Sequence, residues 1–415
     1  MLIENEISIY DFVSAISEAI DLVSSTLNNH HKRVTYIAYN IAMEMNLPNN
    51  EIQDIVLAAM LHDIGAFSIE ERIKIQTIVS HDNSLNQHAL YGYKLLKKFE
   101  PLSKAAELIR YHHADFDESN TDIPLGSYII HLADRSSLLF DEHSEILAQV
   151  PEVLAKIFRI KDRFHQGALA AFSRLVRLEY VWLETFSSSF STAMLKRMRF
   201  SREIVDLETL LSFAKVIAQI IDFRSKFTAT HSSGVAAVAL EIATILGFSE
   251  RECKEMEIAG YLHDLGKLAV SNDILEKNLT LDTGEFNSIR KHTYYTYFVL
   301  NKVRGLESIA TWAAYHHERP DGNGYPFHVR GENFSKLARI MAVADVMTAL
   351  TEDRPYRLGL DKENVEKILI SMAENSGIDK NIADLVCENF YRINDVRIKA
   401  QQESQREYAA FYELA

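Results

Sequence analysis

Histidine and aspartate recur along this chain at matched intervals, and the whole set occurs twice. His30 and His62 stand 32 positions apart, as do His231 and His263. His88 and His112 are separated by 24 positions, and so are His292 and His316. Each set holds a His-Asp pair (His62-Asp63, His263-Asp264). Each also has a double His after a Tyr (Tyr111-His112-His113, Tyr315-His316-His317) and an Asp after an Ala (Ala133-Asp134, Ala344-Asp345). A repeat period of about 200 residues is long enough for each copy to be a domain. The pattern thus predicts two related domains, each carrying five histidines and two aspartates. Imidazole and carboxylate without thiolate suit iron, manganese or zinc better than a structural zinc knuckle.

The rest of the chain narrows the class. With 15 Gly and 7 Pro in 415 residues, long helices are favoured over an all-β architecture. A net charge of −14 argues against a general binder of nucleic acid polymers, which would show a basic footprint. Only Cys253 and Cys387 are present, so no disulfide framework is implied. The first residues, MLIENEISIYDF, have no basic and then apolar run of a signal peptide, and no stretch of about 18 apolar residues marks a membrane span. The expectation is a cytoplasmic protein.

Phe12, Ile16, Ile20 and Val23 lie at helical spacing in the first 30 residues, and Asn49-Asn50 reads as a helix cap. Trp182 and Tyr180 read as packed, and Ser187-Ser188-Ser189 as a break. Ile204 to Ile221 reads as an apolar connecting helix, and Ser249-Glu250-Arg251-Glu252 as a capping box that starts the helix leading to His263. His31, His81, His131, His143 and His165 stand outside the two sets and read as surface or core residues.

The copies differ where ligand contact would lie. Lys267 follows His-Asp-Leu-Gly in the second copy, and Ala66 takes that place in the first. The second copy has Glu318-Arg319-Pro320-Asp321-Gly322-Asn323-Gly324-Tyr325-Pro326 and then Arg354-Pro355-Tyr356-Arg357; the first has neither.

On His-Asp-x-Gly-Lys, His-His-Glu-x-x-Asp-Gly-x-Gly-Tyr-Pro and Arg-Pro-Tyr-Arg, residues 200 to 395 resemble an HD-GYP domain. This is the bacterial branch of the HD phosphohydrolase superfamily that cleaves cyclic dinucleotides. The first half resembles a divergent HD domain. The resemblance implies an all-α fold of two tandem HD-type helical domains joined by a helical connector. The expected divisions are 1–190 (regulatory HD domain), 191–225 (connector), 226–398 (phosphodiesterase domain) and 399–415 (polar tail).

The resemblance also implies roles. His231, His263, Asp264, His292, His316, His317 and Asp345 would hold two divalent transition-metal ions, with Asp264 bridging. Iron or manganese is favoured, with zinc, nickel or magnesium left open. Some relatives carry a third metal on a Glu four residues before the first His; Phe227 occupies that place here, which predicts two. His263, Asp264 and Lys267 would be catalytic, and Lys267, Asp321, Tyr325, Arg354 and Arg357 would contact substrate. His30, His62, Asp63, His88, His112, His113 and Asp134 form a candidate second metal site. Thr348, Thr296 and His328 depart from the family's usual Asp, Gly and Gly, which bears on base preference.

The implied reaction is hydrolysis of a cyclic dinucleotide to the linear dinucleotide, and onward to mononucleotides if cleavage continues. Cyclic di-GMP is favoured and 3′,3′-cyclic GMP-AMP is the close alternative. A different reading is a non-catalytic sensor of cyclic dinucleotide or metal that signals through a protein partner; a third is another nucleotide-cleaving HD enzyme. A homodimer is compatible with all three.

Overall fold

The computed structural model describes residues 7–21, 29–67, 85–187, 204–223, 230–275, 277, 280–353 and 358–413. Nineteen α-helices stand among the described residues, with one antiparallel pair of two-residue strands, Ile7–Ser8 and Ile204–Val205. The all-α expectation holds.

The chain forms two compact units. One is Ile16–Glu203; the other is Ile204–Ala415 together with Met1–Ala15. This differs from the sequence division at both ends. Ile7 pairs with Val205, and Phe12 meets Phe213 edge-on at 5.1 Å, so the first residues belong with the second unit. The Ile204–Ile221 segment begins as the short strand, and its helix starts at Leu207, capped by the Asp206 carboxylate on the Thr209 N–H. That helix buries Leu210, Phe213, Ile217 and Ile220. Each such side chain is worth about 1.5–3 kcal/mol when removed from water. It packs on helix Glu250–Leu262 and is core of the second unit. The polar run after 398 continues helix Phe390–Glu413, and Tyr408 and Phe411 close on Phe223 at 4.8 and 5.3 Å.

Smaller readings sort the same way. Ser249 and Glu252 form the capping box. Pro48, not Asn49, occupies the cap position of helix Asn49–Leu61. Trp182 is buried, but Tyr180 is exposed, because it lies on the outer side of a helix of only seven residues. Val23, Ser188 and Ser189 lie outside the described residues.

Both units place their His/Asp sets on the same five helical positions. In the second unit α1 is His231–Ile245, α2 Glu250–Leu262, α3 Thr283–Leu300, α4 Glu307–Ala314 and α5 Lys336–Thr351. The counterparts in the first unit are His30–Glu44, Asn49–Leu61, Leu85–Leu96, Ser103–Arg110 and Leu125–Ser137. The first His opens the first helix, His-Asp follows the second, and the double His follows the fourth. No described helix is long and apolar enough to cross a membrane.

Candidate active site

Helix ends set the imidazoles of the second unit. The last turn of a helix leaves carbonyls without intrahelical partners. His263, just past the end of α2, donates from Nδ1 to Gly260 O at 2.7 Å. His316, just past α4, does the same to Ala313 O at 2.7 Å. His292, within α3, donates to Ile289 O at 2.6 Å. A carbonyl only accepts, so Nδ1 holds a proton and each ring turns its Nε2 into the site, the usual way a metal-binding histidine is oriented.

Those nitrogens converge. His292 Nε2 and His316 Nε2 face each other at 3.1 Å. Two lone pairs repel at that distance unless a proton or a cation lies between them. Burial pushes the pKa of both rings down to about 3, which takes away the proton. The His317 ring is held at about 3 as well, by burial and then by His316. The donor set therefore fits a divalent cation.

Asp264 stands between two groups of ligands. Its Oδ2 lies 3.2 Å from His263 Nε2, and its Oδ1 lies 3.4 Å from His292 Nε2. His231, His263 and Asp264 bring ligand atoms within 4.8 Å of one another, and so do His292, His316 and His317. Asp345 joins at 3.2 Å from His231 Nε2 and 4.0 Å from His317 Nδ1. Despite the cost of burial, His263 and Lys267 hold the Asp264 carboxyl well below its ordinary pKa. Lys267 ion-pairs with Asp264. Burial opposes a charge on His231, but the Glu352 and Asp345 carboxylates outweigh it and raise its pKa.

Gly266 explains the His-Asp-x-Gly spacing. A Cβ there would sit 1.9 Å from His292 O, so only glycine lets the turn lie against α3. Gly65 meets His88 O in the same way, at 2.2 Å. Thr296 fills the space of the family's usual glycine usefully: its hydroxyl accepts from Gly266 N–H at 2.9 Å and donates to His263 O at 3.0 Å.

The loop after His317 is tied down by one buried carboxylate. Glu318 accepts from the N–H groups of Phe327, His328 and Val329 at 2.6, 3.1 and 3.1 Å. Tyr325 N–H donates to His317 O at 3.1 Å, and the Tyr325–Pro326 peptide is cis. The Tyr325 ring lies 5.0 Å from the His317 ring, and the Arg290 guanidinium lies 4.8 Å from its centroid. His328 takes the left-handed backbone conformation, φ 54°, that the expected glycine would adopt freely. Beside the ligands opens a cleft of about 340 Å³, lined by His316, His317, Arg319, Tyr325, Met372 and Asn375 among others. Its size is in the range of small-molecule sites.

Not every anticipated residue faces the ligands. Asp321 is engaged within the loop, accepting from Asn323 N–H at 2.8 Å and pairing with Arg319 at 2.9 Å. Arg354, Arg357 and Phe227 lie outside the described residues. Two supporting carboxylates escaped the sequence reading. Glu352 accepts from His231 Nδ1 at 3.1 Å; its signal was the i+7 position after Asp345, on the same helical face. Asp222 accepts from Ser232 N–H and Oγ at 3.1 and 2.9 Å, and burial pushes its pKa up to about 7. Its signal was the repeat itself, since Asp21 and Asp222 each stand nine residues before the first His.

The first unit gathers its set equally well. His62 and His112 donate from Nδ1 to Ala59 O and Ile109 O at 2.9 and 2.7 Å. His88 Nε2 is 3.3 Å from His112 Nε2 and 3.1 Å from His113 Nε2. His30 Nε2 is 3.2 Å from Asp134. His30 Nε2, His62 Nε2, Asp63 Oδ1 and Asp134 Oδ2 are buried without hydrogen-bond partners, so this donor set also fits a cation. The two centres differ in access. Asp345 is 14 % exposed, whereas its counterpart Asp134 is shut in at 2 %.

Known proteins share both halves. Residues 28–139 and residues 215–382 each match the HD domain family. The chain is 29 % identical over 402 residues to 3′3′-cGAMP-specific phosphodiesterase 1 of Vibrio cholerae, covering 93 % of each chain. It is 40 % identical over 157 residues to 3′3′-cGAMP-specific phosphodiesterase 3 of the same organism, covering 38 % of this chain and 34 % of that one. It is 38 % identical over 153 residues to the cyclic di-GMP phosphodiesterase PA4108 of Pseudomonas aeruginosa, covering 37 % and 36 %. The crystal structure of a cyclic GMP-AMP-specific phosphodiesterase of V. cholerae, V-cGAP3, shares the fold. Its TM-score is 0.65 at 22 % identity, covering 92 % of this chain and 98 % of that one.

Proposed function

From the two HD domains that this chain carries, the second with the HD-GYP signature, we propose a metal-dependent phosphodiesterase that opens a cyclic dinucleotide. The observation that carries this reading is Asp264, whose two carboxylate oxygens face different histidine groups at 3.2 and 3.4 Å. That supports a role in which Asp264 would be shared between divalent cations held by the two histidine groups. Two such ions supply a strong nucleophile from water at neutral pH and neutralise charge on phosphoryl oxygens. Iron or manganese remains the favoured pair.

The chain's own residues do the rest. His263, His292 and His316 hold their Nε2 nitrogens in place through their carbonyl bonds, so no reorganisation is needed when substrate arrives. Lys267 is paired with Asp264 and partly exposed; it is placed to turn to a phosphate oxygen as a point charge. The Tyr325 ring, beside His317 and the Arg290 guanidinium, is placed for a base to stack on. A nucleophile from Ser or Cys is not required.

The substrate is cyclic di-GMP or 3′,3′-cyclic GMP-AMP. The relative that matches along 93 % of the chain is named for the second, and shorter matches are named for each. Incubating the full chain, loaded anaerobically with Fe²⁺ or Mn²⁺, with both compounds and resolving the products tests this. Cleavage of either, lost in Asp264→Asn, is expected. Intact substrates with metal confirmed bound would refute it and favour the sensor.

A further inference from the structure

His31 has a role in the first unit that has no parallel in the second. It was expected to be a surface or core residue. It is buried, 4 % exposed, and its Nδ1 is held by Asp21 Oδ1 at 2.5 Å. Its Nε2 is buried with no hydrogen-bond partner. A buried polar atom without a partner is costly, so it calls for an explanation. The ring lies 4.8 Å from the His62 ring, and His31, His62 and Asp63 bring ligand atoms within 4.8 Å of one another. Carboxylate, then Nδ1, then a bare Nε2 among other ligands is the arrangement by which proteins orient a metal-binding histidine.

The second unit shows what this position does otherwise. Ser232 stands there, and both its N–H and its hydroxyl are spent on Asp222. The same carboxylate, nine residues before the first His of each set, serves a serine in one unit and an imidazole in the other. The neighbours of His31 are ligand-type groups turned toward one another: His30 Nε2 lies 3.2 Å from Asp134, and His62 Nε2 3.3 Å from Asp63.

We infer that His31 is an additional ligand of a divalent transition-metal ion held in the first unit by His30, His62, Asp63 and Asp134, with Asp21 as its positioning residue. Imidazole-rich sites of this kind suit zinc, iron or nickel. The extra donor and the burial make this a closed centre that stabilises its domain, since metal bound only by the folded state contributes directly to folding. This reading is independent of catalysis in the second unit.

The test uses the full chain with the second centre disabled by His263→Ala, Asp264→Ala, His292→Ala and His316→Ala, which removes both of its ligand groups. Zn²⁺ is the probe, followed by elemental analysis during competition with a chelator. The disabled chain is expected to retain zinc and to melt at a higher temperature with it than without. Adding Asp21→Asn should weaken retention about 10–100-fold, the usual effect of removing an orienting partner. Adding His31→Gln should weaken it at least as much. Zinc absent from the disabled chain, or held equally by His31→Gln, would overturn the inference. Should His31→Gln also melt lower than its parent in the metal-free form, ¹⁵N-histidine NMR of the parent decides. Movement of the His31 Nε2 resonance from free imine to metal-bound on adding Zn²⁺ is expected; an unmoved resonance overturns the inference.

Discussion

Replacing Gly266 with alanine adds one methyl group where the His-Asp turn meets α3. The new Cβ would lie 1.9 Å from His292 O and 2.7 Å from His292 C, both backbone atoms that cannot rotate away. Real Cβ atoms essentially never come within 3.0 Å of such an atom, so the turn and α3 must separate by at least about 1 Å. That movement breaks the Thr296 bridge, which joins Gly266 N–H and His263 O. Overpacking of this kind costs about 1–3 kcal/mol, and the lost hydrogen bonds about 1 more. Stability should fall by about 2–4 kcal/mol in denaturant unfolding. The larger effect is on the ligands, because metal sites tolerate only about 0.2 Å of error. His292 would be withdrawn from Asp264 and His316, so one metal equivalent should be lost by elemental analysis. Hydrolysis should drop about 100-fold, in line with a 1 Å misplacement. A Gly266→Ala protein that binds metal fully and cleaves substrate within about threefold of the original would show that the close approach does not set the ligand geometry.

Three other perturbations probe different supports. Glu318→Ala takes away the acceptor shared by the N–H groups of 327–329, so protease cleavage within residues 319–330 should accelerate and KM rise, with metal content unchanged. Glu352→Gln removes the carboxylate that orients His231, and metal affinity measured against a chelator should weaken about 10–100-fold. In metal-free protein, His292, His316 and His317 have native pKa values near 3 because burial disfavours their charge. An imidazole with a depressed native pKa takes up a proton on unfolding below its ordinary value of about 6.5. Stability from these groups is thus fully present above pH 6.5 and lost as pH falls toward 3. Melting temperatures between pH 7 and 4 should show this decline, and His317→Gln should make it shallower.

The legible part of the site was the part written in spacing. Intervals of 32 and 24 positions are repeated because α1 to α3 and their counterparts must bring the same atoms together. The illegible part depended on atoms that sequence does not show. Nothing in Thr296 announces that its hydroxyl bridges two backbone groups, and the glycine seen in relatives would suggest a loss. Asp321 looked like a ligand contact because an acidic residue stands in a conserved-looking loop motif; its carboxylate instead closes the turn with Asn323 and Arg319. The segment after 398 looked like a tail because it is polar, yet a helix with one apolar edge needs only Tyr408 and Phe411 to anchor on Phe223. Domain edges failed for a similar reason: two strand residues and Phe12 suffice to assign the first residues to the second unit.

The duplication also separates what a metal centre requires from what hydrolysis requires. Helix-end carbonyls orient His62 and His112 in one unit and His263 and His316 in the other. Gly65 and Gly266 allow the same close turn. These shared features fix ligand nitrogens, and they are the features both copies retain. Apart from His31, which stands where the second unit has Ser232, the differences include groups that bear on substrate. Ala66 offers no charge where Lys267 does, and Arg135 donates to His113 at 3.0 Å where the second unit has Val346 in the cleft wall. The Glu318-clasped loop and Tyr325 exist only in the second unit. A phosphodiester needs open coordination, a cation for its phosphate and a face for its bases, and one unit supplies all three. The other surrounds the same ligand set with protein, which suits an ion that stays rather than one that turns substrate over.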